Sequence, residues 1–175
     1  MTDLASYIRD VPDFPKPGIV FKDITPLLAD PKALAGAVDE LAERVAPLRP
    51  DVILGAESRG FILGPALAIR MGVGFAIARK PGKLPWTTVT ASYALEYGED
   101  SLELHDDAIA HGMRVVVHDD LLATGGTARA TCDLAEALGG TVVGCAFLIE
   151  LAFLGGRARL EPLAVESLIT YASEG

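Results

Sequence analysis

Residues 114–127 constrain this chain more than any other stretch. The run Arg114-Val115-Val116-Val117-His118 delivers two adjacent acids, Asp119 and Asp120. The chain then passes through Leu121-Leu122-Ala123-Thr124-Gly125-Gly126-Thr127 into a helical pattern. A continuous β-branched run predicts a strand, Arg114–His118, buried on both faces, and that means a largely parallel sheet covered by helices. Small residues between strand and helix let the backbone approach an anion closely. The free N–H groups and dipole of a helix N-terminus favour a phosphate there, and Thr124 and Thr127 add hydroxyl donors. Two other phosphate loops are excluded: no lysine follows the glycines as in a Walker A loop, and adjacent Gly125 and Gly126 do not make G-x-G-x-x-G.

The acids narrow the ligand further. Carboxylates beside a phosphate repel it unless they face another part of the same molecule, and a vicinal diol supplies donors that carboxylates accept. The loop therefore reads as a cradle for a ribose 5-phosphate. The macrodipole alone would explain an isolated Asp-Asp near a helix N-terminus, but not the whole string. A net charge of −9 opposes broad binding to nucleic acid or anionic lipid. It leaves room for one small polyanion at a local basic cluster, and Arg79-Lys80-Pro81-Gly82-Lys83 is such a cluster.

Along the chain, 175 residues fit a single domain, 1–175. The first 30 residues, with Pro12, Pro15, Pro17 and Pro26, read as a mostly extended arm. Asp30-Pro31 predicts a helix cap, followed by Leu34, Val38, Leu41 and Val45 at helical spacing. Val52–Leu54 and Gly74–Ala78 predict strands, with Phe61–Met71 a helix whose Pro65 falls in the first turn or kinks it. Thr88–Leu104 predicts a hairpin turning at Gly98-Glu99-Asp100. Thr127–Leu138 predicts a helix and Thr141–Ile149 a strand. No apolar run approaches the roughly 20 residues that span a bilayer. The N-terminus lacks a signal-like apolar core, and two cysteines, Cys132 and Cys145, make no disulfide framework. These features predict a cytoplasmic protein. His105, His111 and His118 share no ligand spacing and read as structural or solvated.

Asp119–Thr127 resembles the phosphoribosyl pyrophosphate loop of type I phosphoribosyltransferases, most closely the adenine-using branch. The resemblance extends over Asp13–Pro26, Glu57–Phe61, Arg79–Pro85 and Leu95–Gly98 in the family's order. It implies a type I phosphoribosyltransferase core: a mostly parallel twisted sheet flanked by helices, a small hood from the arm, and a mobile hairpin loop around Leu84–Ser92. It also implies purine salvage, in which the 5-phosphoribosyl group passes from phosphoribosyl pyrophosphate to adenine, giving AMP and pyrophosphate. Mg²⁺ would be held mainly by the substrate, with no side chain assigned as its ligand. Transfer to a 6-oxopurine, or a non-catalytic regulator on the same fold, are the alternatives.

By the same resemblance, Ala123, Thr124, Gly125, Gly126 and Thr127 hold the 5-phosphate, and Asp119 and Asp120 the ribose hydroxyls. Glu57, Ser58, Arg59, Arg79, Lys80 and Lys83 serve pyrophosphate, with Arg79 reaching across a homodimer interface. Val20, Phe21 and Lys22 flank adenine, and backbone groups read its edge. Lys22 stands where the family commonly has arginine. Glu96 is the catalytic residue implied, a carboxylate placed to stabilise oxocarbenium-like charge at ribose C1 or to handle a purine proton. In the mobile loop, only Ser92-Tyr93 carries a family signal.

Overall fold

In the computed structural model, which describes residues 3–94 and 99–173, the valine run lies in the middle strand of a parallel sheet. The strands are β1 (Arg9–Pro12), β2 (Val20–Asp23), β3 (Val52–Ala56), β4 (Gly74–Ala78), β5 (Thr88–Ala94), β6 (Glu99–His105), β7 (Arg114–Leu122), β8 (Thr141–Leu151) and β9 (Ala164–Tyr171). The helices are α1 (Thr25–Ala29), α2 (Pro31–Val45), α3 (Gly60–Met71) and α4 (Gly126–Ala137). Among the described residues the main sheet runs β4-β3-β7-β8-β9, with every neighbouring pair parallel. β1–β2 and β5–β6 form separate antiparallel pairs.

Alternation along β7 builds two cores. Val115 and Val117 pack on one side with Leu102 and Leu104 of β6 and with Cys132 and Leu134 of α4. Val116 packs on the other side with Leu41 of α2 and with Leu63 and Leu67 of α3. Both faces are covered, so both must be apolar, as the uninterrupted run predicts. Asp30 caps α2 by accepting from the Lys32 and Ala33 N–H groups at 2.9 and 2.8 Å, with Pro31 in the first turn.

Several expectations are corrected. β7 does not stop at His118: it stays paired with β8 as far as Leu122↔Glu150, so both acids belong to the strand. β3 runs through Gly55 because the Phe75 ring covers that position. A Cβ on Gly55 would lie 2.6 Å from Phe75 Cζ, and one on Gly64 of α3 would lie 2.5 Å from its Cε2. Glycine here admits an aromatic ring rather than ending a strand. Pro65 sits inside α3 rather than in its first turn. It removes a single backbone donor, and buried Leu63 and Leu67 hold the helix on either side. Glu99 and Asp100 are strand residues facing Ala94 and Tyr93, not turn residues. β9 has no counterpart among the predicted strands. Its inward positions include polar Ser167 between Val165 and Ile169, which weakens the apolar alternation.

The arm is also less extended than predicted. A 3₁₀ turn (Leu4–Tyr7), the β1–β2 hairpin and α1 fold it onto the body, because Leu4, Ile24 and Leu27 are buried against α2. Among the described residues, no helix is long and apolar enough to cross a membrane.

Candidate active site

Two adjoining cavities open at the carboxyl ends of β3 and β7, where ligands bind in parallel sheets. The first, of about 190 Å³, is lined by Asp119–Ala128 and Arg59. The second, of about 260 Å³, is lined by Glu57, Ser58, Arg59, Lys80, Tyr93, Asp100, Leu102, Asp119, Asp120 and Thr127. Arg59, Asp119, Asp120 and Thr127 belong to both. The acids thus stand where the cavities meet, between the glycine loop and the basic segment.

The glycine loop carries no charged side chain. Gly125, at φ 83°, turns the backbone into α4, whose first residues are Gly126 and Thr127. The unsatisfied N–H groups of that first turn are the donors such a helix offers an anion. The Thr131 hydroxyl donates to Thr127 O at 2.8 Å, fixing the first turn from inside.

Burial pushes the Asp119 carboxyl well up from its ordinary value, and the neighbouring Asp120 charge adds to the effect. Burial also raises Asp120, against the opposing influence of Arg59. Arg59 Nε stands 3.2 Å from Asp120 Oδ2, yet that oxygen is buried without a hydrogen bond. An unpaired buried acceptor is costly, and a ligand hydroxyl would relieve the cost.

The cations gather on Glu57. Its Oε2 lies 3.1 Å from Lys83 Nζ and 3.5 Å from an Arg79 guanidinium nitrogen, while its Oε1 accepts from the Lys80 backbone N–H. Burial tends to raise the Glu57 pKa, but these donors prevail and hold it below its ordinary value. Glu57 is thus the counter-charge beside Arg79 and Lys83. Ser58, Arg59 and Lys80 line the same cavity as Glu57. Arg79 pairs with Glu57 of the same chain.

The arm meets the site through Arg59. The Arg59 guanidinium lies 5.1 Å from the Phe21 ring centroid, and Phe14 packs edge-on against Phe21 at 5.2 Å. Lys22 turns the other way, with its ammonium 2.7 Å from Asp10 Oδ1 and 4.2 Å from the Tyr171 ring centroid. At 5% exposure its side chain is buried within the arm.

Glu96 lies outside the described residues, as do its neighbours 95, 97 and 98. Sequence reasoning missed Phe14 and Asp100. Asp100 pairs with Lys80, and the Tyr93 hydroxyl lies 3.1 Å from Asp100, 3.3 Å from Lys80 Nζ and 3.4 Å from Thr127 Oγ1. Asp100 resembled a turn residue, and nothing local in the sequence reveals a lysine twenty residues away. His118 is buried on β7, where its Nδ1 lies 2.9 Å from Ala146 O and its Nε2 has no partner.

A model of the phosphoribosyl transferase domain matches residues 23–166. The adenine phosphoribosyltransferase of Rubrobacter xylanophilus is 59% identical over 165 residues, covering 94% of this chain and 89% of that protein. The crystal structure of adenine phosphoribosyltransferase from Thermoanaerobacter pseudethanolicus superposes with a TM-score of 0.95 at 51% identity, covering 97% of this chain and 98% of the other. The Saccharomyces cerevisiae enzyme, complexed with D-2,5-dideoxy-2,5-imino-altritol 1,6-bisphosphate and adenine, superposes at 0.89 with 39% identity, covering 95% and 96%. With this likeness over nearly its whole length, the chain belongs to the phosphoribosyltransferase family, among the adenine phosphoribosyltransferases.

Proposed function

We propose that this protein transfers the 5-phosphoribosyl group of phosphoribosyl pyrophosphate to adenine, releasing AMP and pyrophosphate. The observation that carries the proposal is the pair of adjoining cavities sharing Asp119 and Asp120. An uncharged glycine loop on one side suits a 5-phosphate, the acids suit the ribose diol, and the cationic side suits pyrophosphate. In the reaction, the bond from ribose C1 to a pyrophosphate oxygen breaks, a bond from C1 to adenine N9 forms, and N9 loses its proton.

The protein's residues divide the work. Backbone donors of Ala123–Thr127 with the Thr124 and Thr127 hydroxyls hold the 5-phosphate, and Asp119 and Asp120 accept from the 2- and 3-hydroxyls. Ser58, Arg59 and Lys80 receive the departing pyrophosphate, supported by Arg79 and Lys83 on Glu57. Glu96 supplies negative charge near C1 as positive charge develops there. Hard oxygen donors suit Mg²⁺, and the carboxylates of Asp119 and Asp120 fit an ion carried by the substrate. Bound Mg²⁺ would neutralise pyrophosphate as a leaving group.

Base recognition falls to β2, whose only strand partner among the described residues is β1. Its other edge is free to offer backbone C=O and N–H groups to adenine, with Phe21 as an aromatic neighbour. The enzyme works as a homodimer in the cytoplasm. Isoleucines Ile62 and Ile69, on one face of α3 at 43% and 82% exposure, favour association, and the free thiols of Cys132 and Cys145 suit a reducing compartment. Turnover of phosphoribosyl pyrophosphate with adenine, hypoxanthine and guanine in turn tests the assignment. Adenine should give the highest kcat/KM, and a 6-oxopurine that matches it defeats the choice of base.

A further inference from the structure

A phosphate loop without a lysine or arginine relies on backbone N–H groups beside its threonine hydroxyls, and the N–H groups serve only if their directions are held. Something must therefore brace Ala123–Thr127 from behind. The brace is visible in the close approach of a second glycine turn. A Cβ on Gly125 would lie 2.5 Å from Gly156 O. A Cβ on buried Gly156 would collide with Ala123 O and come within 3.0 Å of Gly125 N. The two backbones touch, and neither side tolerates even a methyl group.

The turn bearing Gly156, Gly156–Leu160, is itself pinned. Arg157 forms a two-pronged pair with Glu150, Nε to Oε1 at 3.0 Å and a terminal nitrogen to Oε2 at 2.5 Å. Its remaining terminal nitrogen donates to Val165 O at 2.7 Å, and the Ser167 hydroxyl donates to Glu150 Oε2 at 2.8 Å. Glu150 lies opposite Leu122 in the β7–β8 ladder, and Leu122 immediately precedes Ala123. Glu150 thus ties the turn to β8, the strand paired with the one that launches the loop. A forked arginine–carboxylate pair is directional as well as attractive.

We propose that Glu150, Arg157 and Gly156 are positioning residues for the 5-phosphate loop, clamping the Gly156–Leu160 turn against Ala123 and Gly125 so that the loop's N–H groups converge on the phosphate. This rests on assigning Ala123–Thr127 to the 5-phosphate. None of the three lines either cavity. Small misplacements of binding groups are expensive, so loosening the clamp weakens what the loop holds while leaving the base pocket, built on β2, alone.

The test compares Gly156→Ala, Arg157→Met and, as a control, Arg114→Met in the full-length protein. Arg114 donates to Arg49 O at 2.9 Å and Leu48 O at 2.7 Å at the opposite end of β7. For each variant, KM for phosphoribosyl pyrophosphate, KM for adenine, kcat, melting temperature and the calorimetric Kd for ribose 5-phosphate are measured. Gly156→Ala and Arg157→Met should raise KM for phosphoribosyl pyrophosphate and Kd for ribose 5-phosphate about tenfold, the loss of roughly one charge-assisted hydrogen bond. KM for adenine should stay within about twofold. Arg114→Met should lower the melting temperature and leave both KM values in place.

Folded clamp variants with wild-type affinity for ribose 5-phosphate, or with both KM values raised alike, overturn the clamp. Should Gly156→Ala fail to fold, Arg157→Lys, which keeps the charge but loses the fork, decides on the same split. A wild-type protein that does not bind ribose 5-phosphate defeats the assignment of the loop itself. A wild type that binds, with variants that bind equally well, defeats only the clamp.

Discussion

Asp119 and Asp120 are held where burial works against their charge, so a ligand that satisfies them gains more than it would in water. Asp119→Asn and Asp120→Asn should each lower kcat/KM for phosphoribosyl pyrophosphate by about ten- to a hundredfold, the worth of a charge-assisted hydrogen bond. Circular dichroism should remain native. Wild-type kcat/KM in both variants removes the diol assignment. Glu96→Gln keeps size and hydrogen bonding but loses charge, so kcat should fall with little change in either KM. An unaltered kcat, with chemistry shown to limit turnover, would end that role. The acids were legible in the sequence because strand, acids and glycines are contiguous. Asp100 was not, because its meaning depends on Lys80 arriving from another part of the fold.

At the scale of elements, the β1–β2 hairpin is the element proposed to read the base, and Lys22 braces it through Asp10 and Tyr171. Lys22→Ala removes a buried ammonium and leaves Asp10 and the Tyr171 face without it. With backbone groups of β2 proposed to read the base, KM for adenine should rise while hypoxanthine remains a poor substrate. Hypoxanthine turnover comparable with adenine in this variant would show that Lys22 itself selects. A base with the wrong edge leaves two buried groups unpaired at about 1–3 kcal/mol each, so discrimination of at least about tenfold is expected of the wild type. The hairpin illustrates a limit of pattern. Four prolines read as an extended arm, yet burial of Leu4, Ile24 and Leu27 folds it back on α2.

For the molecule as a whole, assembly and acid stability give two further tests. Sedimentation should find a homodimer at assay concentrations, and an active monomer there would defeat the dimer and leave Arg79 to the Glu57 of its own subunit. His118, wholly buried in the middle strand, has its pKa lowered by burial from 6.5 to about 4, against the support of Ala146 O. The folded state therefore binds this proton more weakly than the unfolded state does. The stability gained from keeping His118 neutral is complete above pH 6.5 and drains away as pH falls toward about 4. The slope approaches about 1.4 kcal/mol per pH unit in that window. His118→Asn, whatever its stability at pH 8, should show a flatter loss between pH 6.5 and 4 in urea titrations. An identical slope would show that His118 does not govern the acid limb.

Taken alone, the sequence determined the parallel sheet, the loop at the end of β7 and the family. Each depends on neighbours along the polypeptide: β-branched runs, a capped helix, acids followed by glycines. The tertiary structure decided what depends on residues brought together from afar. It extended β7 through both acids by pairing that strand with β8, and it made Glu57 the hub of three cationic residues. It also buried Lys22 beside Tyr171 and set Gly156 against Gly125. Such contacts leave no periodic trace, because a buried charge or a close backbone approach is a property of the space between elements, and only the packed molecule defines that space.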